Sequence, residues 1–269
     1  MKKLIFSDKF NVFRWKAVIP LALLILAIPG IVQANDGDLQ WAKTYELNSS
    51  KMSLAKTVKV TDDGGFIIGC DFQRLDNWFR ICVIKTDADG DTLWTKLYGW
   101  EDQTHYEFGS LEQTSDGGYI IGGFDTYYVN EDFTAGEAVL IKTDAHGDTL
   151  WTRYYGRDDV PYLSYNCMTV HETSDSGFII GGYMTKMTDD RPGYYLYDGL
   201  VIKTDANGDT LWTRTYGEDI DTTHYVFYNA LETSDGGFII GGYKQFLDWI
   251  NPAYQQPFLM KLSAEGDSL

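Results

Sequence analysis

Cysteine is scarce in this sequence, with three copies in 269 residues. Three cysteines cannot build a disulfide framework, so a buried core has to hold the fold. Basic side chains are also short, 22 against 39 acidic ones, for a formal charge of −17. Such a surface repels phosphate backbones and anionic lipid heads, which excludes nucleic acid as a partner. Helical periodicity is missing after the first 34 residues, and so is any apolar run long enough to span a membrane.

The exception is the N-terminus, where Lys2, Lys3, Lys9, Arg14 and Lys16 precede an apolar stretch over residues 17–28 and Pro29-Gly30. Val32 and Ala34 suit the −3 and −1 positions of a cleavage site, so residues 1–34 read as an export signal and the mature chain as residues 35–269. Pro20 and Pro29 speak against a retained anchor, and the expected location is secreted, periplasmic or at the cell surface, without membrane insertion after cleavage. Losing five basic and one acidic residue with that segment takes the charge from −17 to −21.

What is present is repetition. Residues 200–217, LVIKTDANGDTLWTRTYG, have near-copies in VIKTDADGDTLWTKLYG from Val83 and LIKTDAHGDTLWTRYYG from Leu140, and a partial one in LMKLSAEGDSL from Leu259. Apolar β-branched runs flank an Asp-Ala-X-Gly segment, the pattern of a hairpin, with Asp89, His146 or Asn207 at X as residue types that tolerate positive φ. A second glycine turn recurs in DDGGFIIGC from Asp62, SDGGYIIGG from Ser115, SDSGFIIGG from Ser174 and SDGGFIIGG from Ser234. Short segments ending in Thr61, Thr114, Thr173 and Thr233 precede these turns. Trp41, Trp94, Trp151 and Trp212 mark successive units at spacings of 53, 57 and 61 residues and are read as structural wedges between units.

Four strands and about 57 residues per unit are the mark of a β-propeller blade or a related stacked-sheet array. The IIGG and LVIK strands are apolar on both faces, as a sheet sandwiched between sheets requires. If Asn207 and Gly208 form the turn, Lys203 lies opposite Trp212, Lys142 opposite Trp151 and Lys85 opposite Trp94, each lysine stem covering an indole. Cys70 and Cys82 face each other across one hairpin, either as a disulfide in an oxidising compartment or as two small buried side chains where other units have Gly123 and Val139.

The apolar strand, Asp, two residues, Gly and Leu-Trp resemble the tryptophan-docking repeat of quinoprotein propellers, and the paired glycines before an aromatic strand are similar to kelch repeats. The full pattern, T-S-D-G-G-[FY]-I-I-G-G followed by K-T-D-x-x-G-D-T-L-W-T-R, resembles uncharacterised exported bacterial β-propeller-like repeat proteins, often seen with type IX secretion sorting domains. No sorting domain is found up to Leu269, where the pattern departs from that family. The expected fold is all-β, a β-propeller-like array of four four-stranded antiparallel sheets. Three arrangements fit: a ring closed by the N-terminal GDLQWAKTY from Gly37, a piece of a longer array, or an open solenoid.

Successive hairpins turn at alternate ends, so the tight turns share one face and the long connections the other. The long connections carry Trp78 beside Asp76 and Asn77; Tyr127 and Tyr128 beside Glu131 and Asp132; Tyr194, Tyr195 and Tyr197 after Asp189 and Asp190; and Trp249 and Tyr254 after Asp248. Aromatic rings beside carboxylates stack on sugars or hold peptides, so these residues are the candidate ligand-binding set. Catalysis has weaker grounds: His105 near Asp102 and Trp100, and His224 in a comparable place, lack an accompanying nucleophile. The terminal GDSL aligns with GDTL of three other units and reads as a turn, Asp87, Asp89 and Asp91 have the wrong spacing for a calcium loop, and His171-Glu172 lacks a zinc-protease partner.

The expectation is a non-enzymatic exported protein that needs no cofactor or metal and binds a protein or glycan at the cell surface. Two alternatives stand beside it, a propeller enzyme of hydrolase or quinoprotein-like oxidoreductase type and a structural module of a longer surface protein.

Overall fold

Two four-residue turns, used over and over, set the register of the chain. In the first, the Gly117 N–H donates to Thr114 O at 2.8 Å and the Thr114 N–H donates to Gly118 O at 3.0 Å. In the second, Gly147 N–H donates to Asp144 O at 3.1 Å and Asp144 N–H to Asp148 O at 3.0 Å. Both are type I turns closed by a left-handed residue, with φ of +82° at Gly117 and +76° at Gly147. The positive φ therefore falls on the glycine and not on Asp89, His146 or Asn207. The aspartate that opens the second turn locks it: Asp144 Oδ1 accepts from the His146 and Asp148 N–H groups, both at 2.9 Å. Such side-chain bonds imitate a backbone turn.

The computed structural model describes residues 41–47, 50–99, 104–130, 133–156, 163–187, 195–217, 223–246 and 254–269. They contain 15 strands and no helix. The expected export signal and most long connections lie outside them. The chain divides into two compact units, Met1–Glu46 and Leu47–Leu269. In the first, residues 41–46 carry no strand, and Lys43 Nζ stands 5.9 Å above the Trp41 ring.

In the second unit four antiparallel meanders follow one another. They are β1 (Ser50–Val60), β2 (Phe66–Arg74), β3 (Phe79–Thr86) and β4 (Thr92–Tyr98); then β5 (Thr104–Gln113), β6 (Tyr119–Asn130), β7 (Phe133–Thr143) and β8 (Thr149–Tyr155). Next come β9 (Ser164–Glu172), β10 (Phe178–Met187), β11 (Tyr195–Thr204) and β12 (Thr210–Tyr216), and last β13 (Thr223–Glu232), β14 (Phe238–Phe246) and β15 (Tyr254–Leu262). One parallel pair, Gly136 with Ser164, joins the second meander to the third, and no sheet closes into a barrel among the described residues.

Two expectations need correction. The fourth meander has three strands among the described residues, its end marked by a Leu262–Ser268 bridge. Residues 41–45 of the segment considered for ring closure form no strand; a strand pattern states compatibility with pairing and does not supply the partner. The Thr-terminated strands are also longer than their legible halves. Each is broken by a register shift at Lys56, Gly109, Met168 or Tyr228, a β-bulge that interrupts the sequence pattern.

Apolar residues next to each other in a strand point to opposite faces. Ile121 accordingly joins Ile67, Ile81, Val83, Phe108 and Tyr119 in a first core, while its neighbour Ile120 joins Leu140, Val170, Phe178, Ile180 and Ile202 in a second. A third core holds Ile179, Val201, Phe227, Phe238 and Ile240. The doubly apolar strands of the second and third meanders are thus buried on both faces, as their composition requires.

The same contacts recur at each junction. Trp94 meets Tyr119 edge-on at 5.9 Å, Trp151 meets Phe178 at 5.9 Å and Trp212 meets Phe238 at 5.8 Å. Tyr98 donates to Gly147 O at 2.8 Å and Tyr155 to Gly208 O at 2.7 Å. The Ser115 N–H and hydroxyl donate to Glu172 at 2.7 and 2.9 Å, and those of Ser174 to Glu232 at 2.6 and 2.8 Å.

Lys85, Lys142 and Lys203 lie opposite Trp94, Trp151 and Trp212 as counted from the turn. Their ammonium groups leave the indoles, however, and tie the two turns of each sheet together. Lys142 Nζ reaches Asp116 Oδ2 at 2.8 Å and Thr143 O at 3.0 Å. The cation over the indole is instead Arg153, 5.6 Å from the Trp151 centroid, or Arg214, 5.8 Å from Trp212. Cys70 and Cys82 are register partners, and both are buried thiols.

Candidate binding face

Antiparallel order puts the tight turns of each sheet at one end and the connections β2–β3, β6–β7, β10–β11 and β14–β15 at the other. The β2–β3 connection is compact. Arg74 N–H donates to Trp78 O at 2.8 Å, Asn77 takes φ of +74°, and Lys51 Nζ donates to Asn77 Oδ1 at 2.7 Å. Trp78 is half-buried there, with its ring centroid 4.7 Å from that of His105. Burial, with the nearby Arg80 guanidinium, lowers the His105 pKa and favours a neutral ring.

A second aromatic group spans the third and fourth sheets. The Tyr197 ring lies 5.4 Å from Tyr183 and 4.5 Å from His224, both edge-on. Tyr228, the exposed bulge residue of β13, stands 5.9 Å from Tyr243. Burial pushes the Tyr183 hydroxyl up to about 12, helped by Tyr197, Tyr228, Tyr243 and the carboxylate of Glu107. The Glu107 pKa is itself raised, by burial first and then by Asp71, with Lys56 opposing. Lys56 Nζ is 2.9 Å from Asp71 Oδ2, and Asp71 Oδ1 accepts the Phe108 N–H at 2.8 Å. Aromatic side chains of the third and fourth meanders therefore pack against each other, and the Glu107 carboxylate of the second acts on the Tyr183 hydroxyl through its charge. Rings of this kind stack on apolar faces, while the carboxylate accepts hydroxyl or amide hydrogens.

The candidate residues do not all gather there. Tyr197 belongs to the group; Tyr195 opens β11 and is 39% exposed. Tyr254 stacks on Phe246 at 5.1 Å in the fourth sheet, and Tyr127 is half-buried on β6 opposite Ala135. Tyr194 and Trp249 lie outside the described residues, as does the side chain of Tyr128. Asp102 and Trp100 lie outside them as well.

Tyr183, Tyr228, Tyr243 and Glu107 escaped the sequence reading because they sit within strands. One signal was available: the residue after Gly182 and Gly242 is tyrosine in both units, at the point where the repeat consensus ends. A separate groove of roughly 280 Å³ opens between the first two sheets, lined by Tyr98, Tyr106, Ile141, Thr149, Thr152 and Tyr154. Its Tyr106 and Tyr154 hydroxyls already bond each other at 2.9 Å. Among the described residues no group of three or more His, Cys, Asp or Glu side chains is placed to hold a metal ion. The GDSL serine, Ser268, pairs by backbone with Leu262, and the Asp267 N–H donates to Ser263 at 3.2 Å, as in the other copies of the turn.

No protein-family model and no curated protein matches the sequence. Solved structures do resemble it. A protein of unknown function from Dyadobacter fermentans superposes with a TM-score of 0.55 at 10% identity, covering 83% of this chain and 72% of its own. The mannose phosphorylase MPT-4 from Leishmania mexicana gives a TM-score of 0.40 at 12% identity, covering 81% of this chain and 66% of its own. The first is a likeness of fold; the second carries no argument about this chain. Fold and contacts together define the class: an all-β protein built of several packed antiparallel sheets.

Proposed function

We propose that this chain is a non-catalytic exported repeat protein, a β-propeller-like array that binds a protein or glycan at the cell surface through its long-connection face. The carrying observation is the packing of Tyr197 against Tyr183 and, across to the fourth meander, against His224, with Tyr228 exposed beside Tyr243. Aromatic faces beside an acceptor are the chemistry of sugar stacking, so a neutral glycan is the favoured ligand and a protein segment the second. The acidic surface, with a formal charge of −21 once residues 1–34 are removed, is consistent with a neutral or cationic ligand and not with an anionic one.

Screening the exported chain against neutral glycans and surface proteins, with and without calcium, tests this reading. Tyr197→Ala and Tyr228→Ala should each weaken the best ligand about tenfold or more, as loss of an aromatic anchor does. Asp89→Ala, on the tight-turn end, should leave affinity unchanged. Binding that ignores both tyrosines and responds to Asp89 would place the ligand on the opposite end and overturn the assignment.

A further inference from the structure

Each interior junction between sheets has two halves. The trailing half, on the earlier sheet, consists of Ile67 and Val83, Ile120 and Leu140, or Ile179 and Val201, all 0% exposed. The leading half, on the later sheet, centres on the register pairs Leu111–Ile121, Val170–Ile180 and Ala230–Ile240, none more than 1% exposed. Among the described residues of Leu47–Leu269, one half of each kind is left uncovered. On the fourth sheet Leu259 takes the place of Val83, Leu140 and Val201, yet it is 71% exposed, and Ile239 beside it is half-buried. On the first sheet Val58 takes the place of Leu111, Val170 and Ala230, yet it is 62% exposed, beside its half-buried partner Ile68.

We propose that the trailing face of the fourth sheet docks on the leading face of the first sheet in a second copy, so that copies associate head to tail. The partner follows from the junctions themselves. A trailing face of this chemistry is covered by a leading face three times inside the chain, and the remaining leading face belongs to the same chain. Shape permits it: at the first two interior junctions Gly69 and Gly122 accept Phe108 and Cys167, at the third Gly181 faces Ala230 and Phe227 packs on Gly199, and at the copy contact Gly241 would meet the smaller Ala55, the equivalent of Phe108 on β1. One bond is missing. Val60 stands where Gln113, Glu172 and Glu232 receive the turn of the preceding sheet, so Ser234 finds no carboxylate there. The copy contact is therefore weaker than the interior ones and depends on concentration. It is also heterologous, with two different surfaces meeting, so it does not close at a symmetric dimer.

Sedimentation velocity of the whole exported chain over a concentration series, with Val58→Asp and Leu259→Asp, tests the proposal. Both positions are exposed, and unchanged circular dichroism and melting temperature will confirm that each variant folds. The wild type should grow beyond dimers, and each substitution should weaken association about tenfold or more. An equimolar mixture of the two variants should give a dimer and nothing larger, because the mixture retains one intact face of each kind. A wild type that stays monomeric throughout, a dimer indifferent to both substitutions, or a mixture no more associated than its components would each overturn it.

Discussion

Ser176 is where the repeat breaks its own rule. Its counterparts Gly64, Gly117 and Gly236 close the first turn at φ of +78° to +82°, and Ser176 adopts +62° with a side chain attached. A non-glycine residue there carries about 1–2 kcal/mol of strain, part of which glycine would return as unfolded-chain entropy. Ser176→Gly should therefore stabilise the protein by about 0.5–1 kcal/mol, seen as a higher urea midpoint at an unchanged slope. A lower midpoint would mean that the serine makes a contact worth more than its strain. The lysines show the opposite economy of means. Lys85, Lys142 and Lys203 are each at most 6% exposed, and all three end on a turn aspartate and a threonine carbonyl, so their burial is matched by hydrogen bonds.

Among the elements, the tryptophan strand depends on a glycine in the following unit. A Cβ on Gly147 would lie 2.9 Å from the Trp94 ring, whereas one on Gly117 would meet nothing within 4 Å. Both glycines have positive φ, so alanine at either site costs about 1–2 kcal/mol in backbone strain. Gly147→Ala has in addition to displace the indole from its edge contact with Tyr119, a further ~1–3 kcal/mol of overpacking. Denaturation of the two variants should show Gly147→Ala as the less stable, and only that variant should shift the tryptophan emission. Equal losses with unchanged emission would show that the indole does not wedge the sheets.

For the whole molecule, repetition multiplies one acid-sensitive pair. The hydrogen bond from Lys85, with those of Thr61 and the Gly65 N–H, holds Asp63 at about 2 against an ordinary 3.8. Burial works against ionisation of Asp116 and Asp175, but Lys142 with Thr114 and Lys203 with Thr173 outweigh it and bring both to about 2. Asp235 is lowered as well, chiefly by Lys261. A carboxylate with a folded pKa below its unfolded one stabilises the fold above the unfolded value and loses that contribution as pH falls towards the folded one. The melting temperature should thus fall modestly between about pH 7 and 5, where His105 and His224 bind protons more readily in the unfolded chain, and steeply between about 4 and 2, where these carboxylates titrate. Asp116→Asn should lower the plateau and flatten that fall. Equal slopes for wild type and variant below pH 4 would remove the turn aspartates as its cause.

The turns, the four-fold repetition, the burial of IIGG on both faces and the register of each lysine with its tryptophan were all legible in the chain as written. The turns and the register depend on bonds between residues a few positions apart, which leave a local pattern, and burial on both faces shows as an unbroken apolar run. Other features depend on how one sheet is rotated against the next, which no single repeat encodes. That rotation brings Tyr197 of the third meander onto His224 of the fourth, whereas the lysine ammonium groups turn to aspartate because the two tight turns of one sheet lie side by side, which leaves Arg153 to cover the indole. It also buries Val83, Leu140 and Val201 but leaves Leu259 in solvent, because covering an apolar face requires a neighbouring sheet, and that neighbour is a property of the assembled array.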